Sequence, residues 1–532
     1  MNSKYLSAIC AGLLCVGTAN AVSTTGLYNI RDFGAEAGGE TLCTQAIQSA
    51  VDQCAKDGGG TVLFPPGTWL TGTVYLESHI TIRLENGCTV VGSKEKGHYG
   101  RPRTPLAHEG ETFSNWAIFA GRNLEHVAIC GQGMIDGQGA HFKYKEGTRP
   151  KNLYFEGCRD LLIEGVRLRN AGSWMQHYRH CDRLRIRDIA VFNHVSYNND
   201  GLNIDSCRDV AITGCTVDSD DDAIVLKSLS ARPCENVTIS DCVVSSHCNS
   251  IKMGTESGGG FQNITVTNCA VCSPRYSQVT YGRQRGLAGI ALEIVDGGTL
   301  DRVTISNITI KGVTAPIFLR LGNRARSFEQ KQPKPGIGTL RNVMLSDIIA
   351  TDCSAIGCSI TGLPDHPIEN VTLSNISLGF EGGGTKEDAV REIPEKPDSY
   401  PESTMFGTLP SYGFFCRHVK GLRLQNIHLQ TSTSDHRHAL LLSDVENAVV
   451  DSLDAPFASD SAAMLRLHDG RNVSLRNCRP PEGTSVFLLL TGKRTNAVSA
   501  YDNGFEGVST ICERGPEVAG SALTLWSNHT AP

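Results

Sequence analysis

The sequence has no excess of positive charge, because 49 lysines and arginines are set against 55 aspartates and glutamates, for a net charge of −6. We therefore expect no broad basic surface for nucleic acid or anionic lipid. Long apolar runs are also missing: the run at residues 6–16 is shorter than the about 20 residues that a membrane-spanning helix needs, and no later segment is long enough. With 40% hydrophobic residues among 532, the chain can still bury a large core, which excludes a disordered protein.

The N-terminus has the pattern of a secretory signal peptide. Lys4 precedes the apolar run, which is followed by an A-x-A cleavage site at residues 19–21. Cys15 is a candidate lipid attachment site, but the bulky Leu14 before it makes this the weaker alternative. We predict a signal peptide over residues 1–21 and export to the periplasm or the extracellular space.

A short motif of alternating apolar and polar residues recurs along most of the chain. Five copies in close succession begin at Asp160, Arg183, Asp209, Asn236 and Asn263. Further copies begin at Arg302, Asn342, Asn370, Gly421, Asn447 and Asn472. Each copy alternates on both sides of a short turn, which predicts strand, turn and strand. The first five copies have a period in the mid-twenties, which accommodates the three short strands and three turns of one solenoid coil.

We therefore expect an all-β solenoid in which successive coils stack as parallel strands about 4.8 Å apart. Residues 41–55 place apolar side chains on one helical face before three glycines, which predicts a helix that caps the N-terminal end. Longer gaps between copies predict loops within residues 272–301, 311–341 and 378–420, which would form the walls of a binding cleft. No linker interrupts the pattern, so residues 22–532 are predicted to form a single β-helix catalytic domain.

The same repeat explains the cysteines and several asparagines. Cys215, Cys242 and Cys269 recur at the constant interval of the repeat, so we interpret most cysteines as small buried side chains stacked in files. Oxidation of some neighbouring cysteines stays open. Asparagines that match glycosylation sequons share the phase of the repeat, and we interpret them as turn residues: Asn236, Asn263, Asn370 and Asn472.

Aspartates cluster at the ends of two consecutive coils. Asp200 lies in the segment NNDG at residues 198–201, and Asp221 and Asp222 follow one coil later. Since adjacent coils stack, we expect these carboxylates to lie side by side and to raise some of their pKa values. A protonated acid beside an ionised base suits glycosidic hydrolysis, in which the acid protonates the leaving oxygen and the other group activates water. A calcium site and a solvated acidic turn are the alternatives.

Several segments resemble the polygalacturonase family, glycoside hydrolase family 28, over nearly the whole mature length. They are IRDFGA from Ile30, GGGTVLFPPGTWLTGTVYLES from Gly58 and GQGMIDGQG from Gly131. In addition, NNDG matches the family's N-T-D-G motif, and DDA at residues 221–223 matches its D-D-C motif.

This resemblance implies a right-handed parallel β-helix that hydrolyses its substrate with inversion. On the same match, Asp221 would be the general acid, and Asp200 and Asp222 would hold and deprotonate the attacking water. Inversion requires the carboxylates to stand about 6.5 to 9.5 Å apart.

The next coil continues the match in part. SHC at residues 246–248 corresponds to the family's G-H-G motif, so the resemblance implies that His247 orients or tunes the acid, with a turn histidine as the alternative. Lys252 and Glu256, in the following SIKMGTES, are expected along the same face as substrate contacts. Asn198, in the NNDG segment, is expected to contact substrate as well.

The most informative departure lies where the family's R-I-K motif grips a substrate carboxylate. This chain has Ala-Leu-Glu at residues 291–293, so both cations are missing and Glu293 takes their place. A galacturonate would meet repulsion there, which points to a rhamnogalacturonan-type or branched pectin rather than plain homogalacturonan. Arg285 and Arg320 are candidates for carboxylate recognition elsewhere, and Trp174 is a candidate for stacking on a sugar ring or for core packing.

We predict a secreted, inverting, polygalacturonase-like glycoside hydrolase with a pectic polysaccharide or oligosaccharide as its substrate. We expect a monomer that needs no cofactor or metal and that has no nucleic-acid partner and no membrane span. Two other functions fit the same scaffold: a pectate-lyase-like β-eliminase, which usually needs calcium, and a non-catalytic carbohydrate-binding solenoid. Loss of activity on chelation would indicate the first, and binding without release of reducing sugar would indicate the second.

Overall fold

The computed structural model describes residues 26–100, 116–142, 149–327 and 333–530. These residues form a parallel β-helix, which confirms the solenoid expected from the repeat. The predicted signal peptide at residues 1–21 lies outside the described residues and stays a prediction. In the described ranges, no helix has both the length and the apolar character to cross a membrane.

Each coil adds one strand to each of three parallel stacks, which we call face 1, face 2 and face 3. The strands of face 1 alone are Leu27–Asn29, Gly60–Phe64, Ile80–Leu84, Glu125–Gly131, Arg159–Glu164, Asp182–Arg187, Arg208–Thr213, Cys234–Ser240, Arg471–Arg476, Asn496–Tyr501 and Leu523–Trp526. The strands of face 2 alone are Gly67–Thr71, Cys88–Gly92, Met134–Asp136, Arg167–Arg169, Ala190–Asn193, Thr216–Ser219 and Val243–Ser246.

Face 3 carries the strands that position the candidate site. Its own strands are Val74–Tyr75, Ala117–Arg122, Lys151–Glu156, Gln176–Arg179, Leu202–Asp205, Ile224–Ser228, Asn249–Ser257, Ala288–Ile294, Ala315–Leu321, Cys358–Thr361, Leu465–His468, Val486–Thr491 and Thr510–Arg514. Longer strands bend around a corner and belong to two or three faces: Gly260–Cys272, Thr299–Lys311, Thr339–Cys353, Ile368–Phe380, Ser411–Thr431 and His438–Asp454.

The predicted capping helix is confirmed as Thr44–Lys56, whose buried residues are Ile47, Ala50, Val51 and Cys54. Its apolar face packs on the first coils and covers the end of the core. A second, one-turn helix, Lys386–Ala389, begins at a capping box on Thr385. Short 3-10 helices lie at Ile30–Phe33, Lys96–His98, Gly139–His141 and Gly520–Ala522.

The core lies inside the coil, where alternate residues of each strand meet. On face 1, Ile212 pairs with Ile239, and Ile239 pairs with Val266, so equivalent apolar residues form a continuous buried file. Burying one such side chain contributes about 1.5–3 kcal/mol. The period-2 alternation of the sequence is therefore the pattern that separates the core from the outer faces.

The turn asparagines form the expected ladder. Asn263 Nδ2 donates to Asn236 Oδ1 at 2.7 Å, and Asn236 Nδ2 donates to Asp209 Oδ1 at 2.8 Å. Asn370 and Asn472 make the same contact with the coil before each of them. All of these asparagines have φ between 51° and 57°, the left-handed region that asparagine tolerates better than most residues.

The 18 cysteines of the described ranges are free thiols, and most of them are buried. Cys181 N donates to Cys207 Sγ at 3.4 Å, so cysteines of adjacent coils do stack in a file. Cys269 and Cys272 have C-x-x-C spacing, but they lie in one strand and point to opposite sides of it, so they do not form a metal or redox pair.

Long loops leave the coil at residues 273–287, at 381–410 and in the described parts of 322–338. These loops fall within the predicted gaps, but each predicted gap is longer than the loop that it contains. Each gap also contains face 3 strand: Ala288–Ile294, Ala315–Leu321 and the first residues of Ser411–Thr431. These segments lack the turn asparagine and the alternating pattern, so the sequence carries no mark of the repeat there.

Candidate active site

The candidate catalytic aspartates lie in the turn between face 2 and face 3 of two adjacent coils. Leu202 pairs with Ile224 across these coils. Asp200 and Asp222 each lie two residues before this pair, so they occupy equivalent positions, and Asp221 lies one residue earlier. The predicted convergence is therefore present, with Asp222 rather than Asp221 as the counterpart of Asp200.

Burial gives the carboxylates of this turn unequal acidity. Burial and then the neighbouring Asp221 raise the pKa of Asp200 well above its usual value. Burial and then Asp222 raise the pKa of Asp221 to about 6, and Asp221 Oδ1 accepts a hydrogen bond from Asp222 N at 2.9 Å. Asp221 is the most exposed of the three, at 8%. Near neutral pH the site can thus hold a protonated acid beside an ionised one.

Two buried lysines neutralise this cluster. Lys252 Nζ lies 3.1 Å from Asp222 Oδ2 and 3.7 Å from Glu293 Oε2. Lys227 Nζ lies 3.6 Å from Asp200 Oδ2 and 3.2 Å from Glu256 Oε2. Both ammonium groups are already paired with protein carboxylates, so they offer less free positive charge to a substrate carboxylate than the sequence suggested.

Glu256 is held by cations on several sides. Burial opposes its ionisation, but Lys227, Arg324 and Arg326 together keep the pKa of Glu256 well below its usual value. Arg326 donates to Glu256 Oε1 at 2.6 Å, and Arg324 also pairs with Asp296. Glu256 is therefore an ionised partner of Lys227. Its position in the sequence did not reveal this role.

Glu293 is a buried acid whose ionised form is poorly stabilised. Its side chain is 0% exposed, and neither carboxylate oxygen has a hydrogen-bond partner among the described residues. Burial raises the pKa of Glu293 to about 7, although Lys252 opposes the rise. Glu402, from the loop 381–410, is a second such acid, because burial raises its pKa to about 8. Glu293, which aligns with the R-I-K motif, and Glu402 thus form an acidic, poorly solvated wall.

His247 contacts Asp220, whereas the expectation was that it would act on the acid Asp221. Its Nδ1 lies 3.2 Å from Asp220 Oδ1, and its Nε2 lies 3.1 Å from Tyr276 O. Asp220 also accepts hydrogen bonds from the backbone N–H groups of Thr280 and Tyr281, both at 2.8 Å. His247 and Asp220 together fix the loop 273–287 beside the aspartates.

A divalent cation has one candidate set of ligands among the described residues. His194, Asp220 and His247 are buried, and each offers a ligand atom within 4.8 Å of the others. His194 Nε2 lies 2.9 Å from Asp218 Oδ1, an outer contact that orients its ring. Asp220 and His247 have protein hydrogen-bond partners, whereas the buried Nδ1 of His194 has none among the described residues.

The NNDG segment is organised by its two asparagines. Asn199 Oδ1 accepts from the backbone N–H groups of Val195 and Ser196, at 2.7 and 2.5 Å, and its Nδ2 donates to backbone oxygens of the preceding coil. Asn198 Oδ1 accepts from Arg149 at 3.2 Å. Asn199, which the sequence did not single out, shapes the turn that presents Asp200.

Three predicted substrate contacts have protein partners. Trp174 is buried with Lys227 Nζ 4.7 Å and Lys151 Nζ 5.3 Å from its ring centroid, so lysines rather than open solvent face the ring. Arg320 is buried and donates to Thr361 and to the backbone oxygens of residues 362, 395 and 396. Arg285 pairs with Glu381 at 2.6 Å. Both arginines hold loops, because their donors are directed at protein acceptors.

Tyr400 and Glu402 reach the site from far along the chain. Tyr400 OH accepts a hydrogen bond from Thr255 Oγ1 at 3.0 Å, and its ring centroid lies 5.8 Å from Lys252 Nζ. The loop that carries them has no periodic pattern, so no signal in the sequence pointed to these residues.

Relatives and solved structures agree with this fold. A probable polygalacturonase of Vitis vinifera is 34% identical over 217 residues, which are 37% of this chain and 43% of that protein. An exopolygalacturonase structure from Thermotoga maritima covers 76% of this chain and 91% of its own, with 20% identity and a TM-score of 0.57. A polygalacturonase structure from Erwinia carotovora covers 64% and 92%, with 18% identity and a TM-score of 0.51.

The matching regions are partial, because the chain spans half or less of the length of the curated relatives that head the comparison. The match to the family is broader. The model of Glycosyl hydrolases family 28 matches residues 70–399, more than half of the chain, and this range includes the aspartate turns and Glu293. The chain belongs to glycosyl hydrolases family 28.

Proposed function

We propose that the protein is an exported, inverting glycoside hydrolase that cleaves a pectic polysaccharide or oligosaccharide. The observation that carries this proposal is the stack of Asp200, Asp221 and Asp222 in the buried turns of two adjacent coils, with the pKa of Asp221 raised to about 6. Glycosidic hydrolysis requires two carboxyl groups of unequal acidity, one that donates a proton and one that accepts a proton.

In this proposal Asp221 is the general acid. Its raised pKa keeps a fraction protonated near neutral pH, and it is the carboxylate with the most access to solvent. Asp200 and Asp222 hold the attacking water, and Asp222, which lies 3.1 Å from Lys252 Nζ, takes its proton, because the pKa of Asp200 is raised well above its usual value. The leaving sugar oxygen takes the proton of Asp221 as the water oxygen bonds the anomeric carbon.

The acidic wall favours a neutral sugar beside the scissile bond. Glu293 lies where the resembled family keeps a cation, Glu402 interacts with it, and Lys252 is already paired with Asp222. A galacturonate carboxylate at this place would gain little charge pairing, because Glu293 and Glu402, with pKa values raised to about 7 and about 8, are largely protonated at the pH at which Asp221 can act and supply no cation. We therefore propose a rhamnogalacturonan-type or branched pectin as the substrate rather than plain homogalacturonan.

The test is Asp221→Asn, assayed for release of reducing sugar from a panel of pectic polymers and oligosaccharides. Because general acid catalysis contributes typically about 10²–10⁴-fold, the variant should lose at least 100-fold in kcat with an unchanged unfolding midpoint. Asp365→Asn, at an exposed turn, is the matched control and should keep full activity. A loss of less than tenfold in the Asp221 variant would contradict the assignment.

A pectate-lyase-like β-elimination is the second candidate, because it fits the same scaffold. The cluster of His194, Asp220 and His247 could hold a cation, but its two imidazoles suit a transition metal rather than the calcium that such lyases usually need. The two reactions give different products. Unsaturated products with ultraviolet absorbance, lost on chelation, would support elimination. Saturated products with inverted anomeric configuration, formed in the presence of chelator, support hydrolysis.

A further inference from the structure

The outward side chains of face 3 are buried, although this face carries the candidate site. Strand pairing aligns one outward residue from each of six consecutive coils, namely Tyr154, His177, Asn203, Val225, Lys252 and Ala291. Each of them is at most 1% exposed. A groove that accepts the middle of a long polysaccharide needs an accessible floor along several coils, so these coils of face 3 offer no such groove.

Before the aspartate turns, the floor is covered by Trp174. Its ring meets His177 edge to face at 4.9 Å and lies against Lys227 and Lys151. Trp174 lies in the equivalent turn of the preceding coil. It therefore forms a wall one coil before Asp200.

After the aspartate turns, the loop 381–410 covers face 3. Arg417 donates to the backbone oxygens of Ile393 and Pro394 at 2.6 and 3.2 Å, and Arg320 donates to those of the next two residues at 2.7 and 3.0 Å. Both guanidinium groups are almost fully buried, so four consecutive carbonyl groups of the loop are tied to face 3.

Apolar contacts close the rest of this loop onto the face. Met405 packs against Ala288, Ala291 and Phe318, and Ser403 Oγ donates to Leu287 O at 2.7 Å. Further on, Phe406 and Leu409 pack with face 3 residues of the later coils. The loop is therefore a fixed part of the scaffold and forms a second wall beyond Lys252.

Exposed aromatic rings lie near the aspartate turns and on the second wall. Tyr197 and Tyr281 are 43% and 47% exposed and meet edge to face at 6.5 Å, close to Asp200 and Asp220 respectively. Tyr400, which is 46% exposed, lies beside Lys252. Aromatic faces at the mouth of a small site suit the apolar faces of sugar rings.

From this geometry we infer that the enzyme acts on chain ends: it takes the terminal sugars of a pectic chain into a short pocket and releases a mono- or disaccharide in each turnover. The inference rests on the proposed hydrolysis. Each turnover adds one water across one terminal glycosidic bond, so the released sugar gains the hydroxyl and the remaining chain keeps the protonated leaving oxygen, or the reverse, according to which end is bound.

The experiment follows reducing ends, viscosity and early products on rhamnogalacturonan and homogalacturonan polymers with the full-length protein. We expect a mono- or disaccharide as the early product while viscosity stays near its starting value. A ladder of oligosaccharides with an early fall in viscosity would overturn chain-end action and leave the proposed hydrolysis intact. No release of reducing sugar from polymers or from their oligosaccharides would overturn the hydrolysis itself, and this inference with it.

A variant tests the loop directly. Arg417→Met removes the hydrogen-bond donors to the backbone oxygens of residues 393 and 394, so the loop should become cleavable by protease. The fraction of hydrolysed bonds that lie inside the polysaccharide chain should then rise several-fold. Val390→Ala, on the same loop and 66% exposed, is the control and should match the wild type in product pattern. Tyr400→Ala leaves the anchor intact and should raise KM for oligosaccharides without adding internal cuts. An unchanged product pattern in an Arg417 variant whose loop is demonstrably cleavable would contradict the role of the loop.

Discussion

Glu293→Gln should make the protein more stable, although it alters the centre of the candidate site. The wild-type carboxylate is fully buried and its oxygens accept no hydrogen bond from the described residues, so its ionised form is poorly stabilised. Lys252 is its ion-pair partner at 3.7 Å, and that ammonium lies nearer to Asp222, at 3.1 Å. Glutamine keeps the shape of the side chain and removes the buried charge.

The size and pH dependence of the effect follow from the pKa of Glu293. Folding raises it from 4.5 to about 7, because burial disfavours the charged form. The carboxyl group of Glu293 is fully protonated below about pH 4.5. The free energy of unfolding that this proton contributes is lost as the pH rises through about 7, because the buried group then becomes charged. At pH 8 the wild type should therefore have lost about 3 kcal/mol of unfolding free energy through this residue. The loss of the contact with Lys252 reduces the gain in the variant to about 2–3 kcal/mol.

The assay is urea denaturation of both proteins at pH 4.5 and at pH 8. The variant should match the wild type at pH 4.5 and exceed it at pH 8. Glu482→Gln, at an exposed turn, is the control and should show no difference between the two pH values. An equal difference at both pH values, or a variant less stable than the wild type at pH 8, would refute the reasoning.

Two further outcomes follow from the structure. The kcat/KM should fall as the pH rises through about 6, because Asp221 must be protonated to act as the acid; a profile that stays flat to pH 8 would contradict this role. Arg437→Met should lower the unfolding free energy by about 3–5 kcal/mol, because it leaves Asp435 buried without its partner at 2.7 Å; urea denaturation that shows a change below about 1 kcal/mol would contradict this.

The repeat made the fold predictable because each coil obeys the same local rules. The turn asparagine adopts the left-handed conformation at one corner of the coil. The alternation of apolar and polar residues on both sides of it determines which side chains enter the core. These signals are local and recur with every coil, so they also placed Asp200 and Asp222 on neighbouring coils. The capping helix was predictable for the same reason, since its apolar stripe is a local pattern.

The surroundings of the aspartates were not predictable from such signals. Glu402 and Tyr400 come from a loop that lies many coils after Asp221 in the sequence and has no period. The pairing of Lys227 with Glu256 and of Lys252 with Asp222 depends on which outward side chains meet across coils, and many lysines would satisfy the same pattern. The loop carbonyls that accept from Arg320 were hidden for the same reason, because they are distant from it in the sequence.

Stacking also restricts how this site can change. Asp200 and Asp222 occupy equivalent positions of adjacent coils, so their backbone separation is one strand spacing of about 4.8 Å. Insertion of a whole coil between them would increase this separation by one strand spacing, and no single substitution can change it gradually. The scaffold therefore fixes the distance between Asp200 and Asp222 in steps of one strand spacing. The loops can lengthen, shorten or change sequence without changing this distance. In this architecture the spacing of the reacting groups can stay constant while the loops that meet the substrate change.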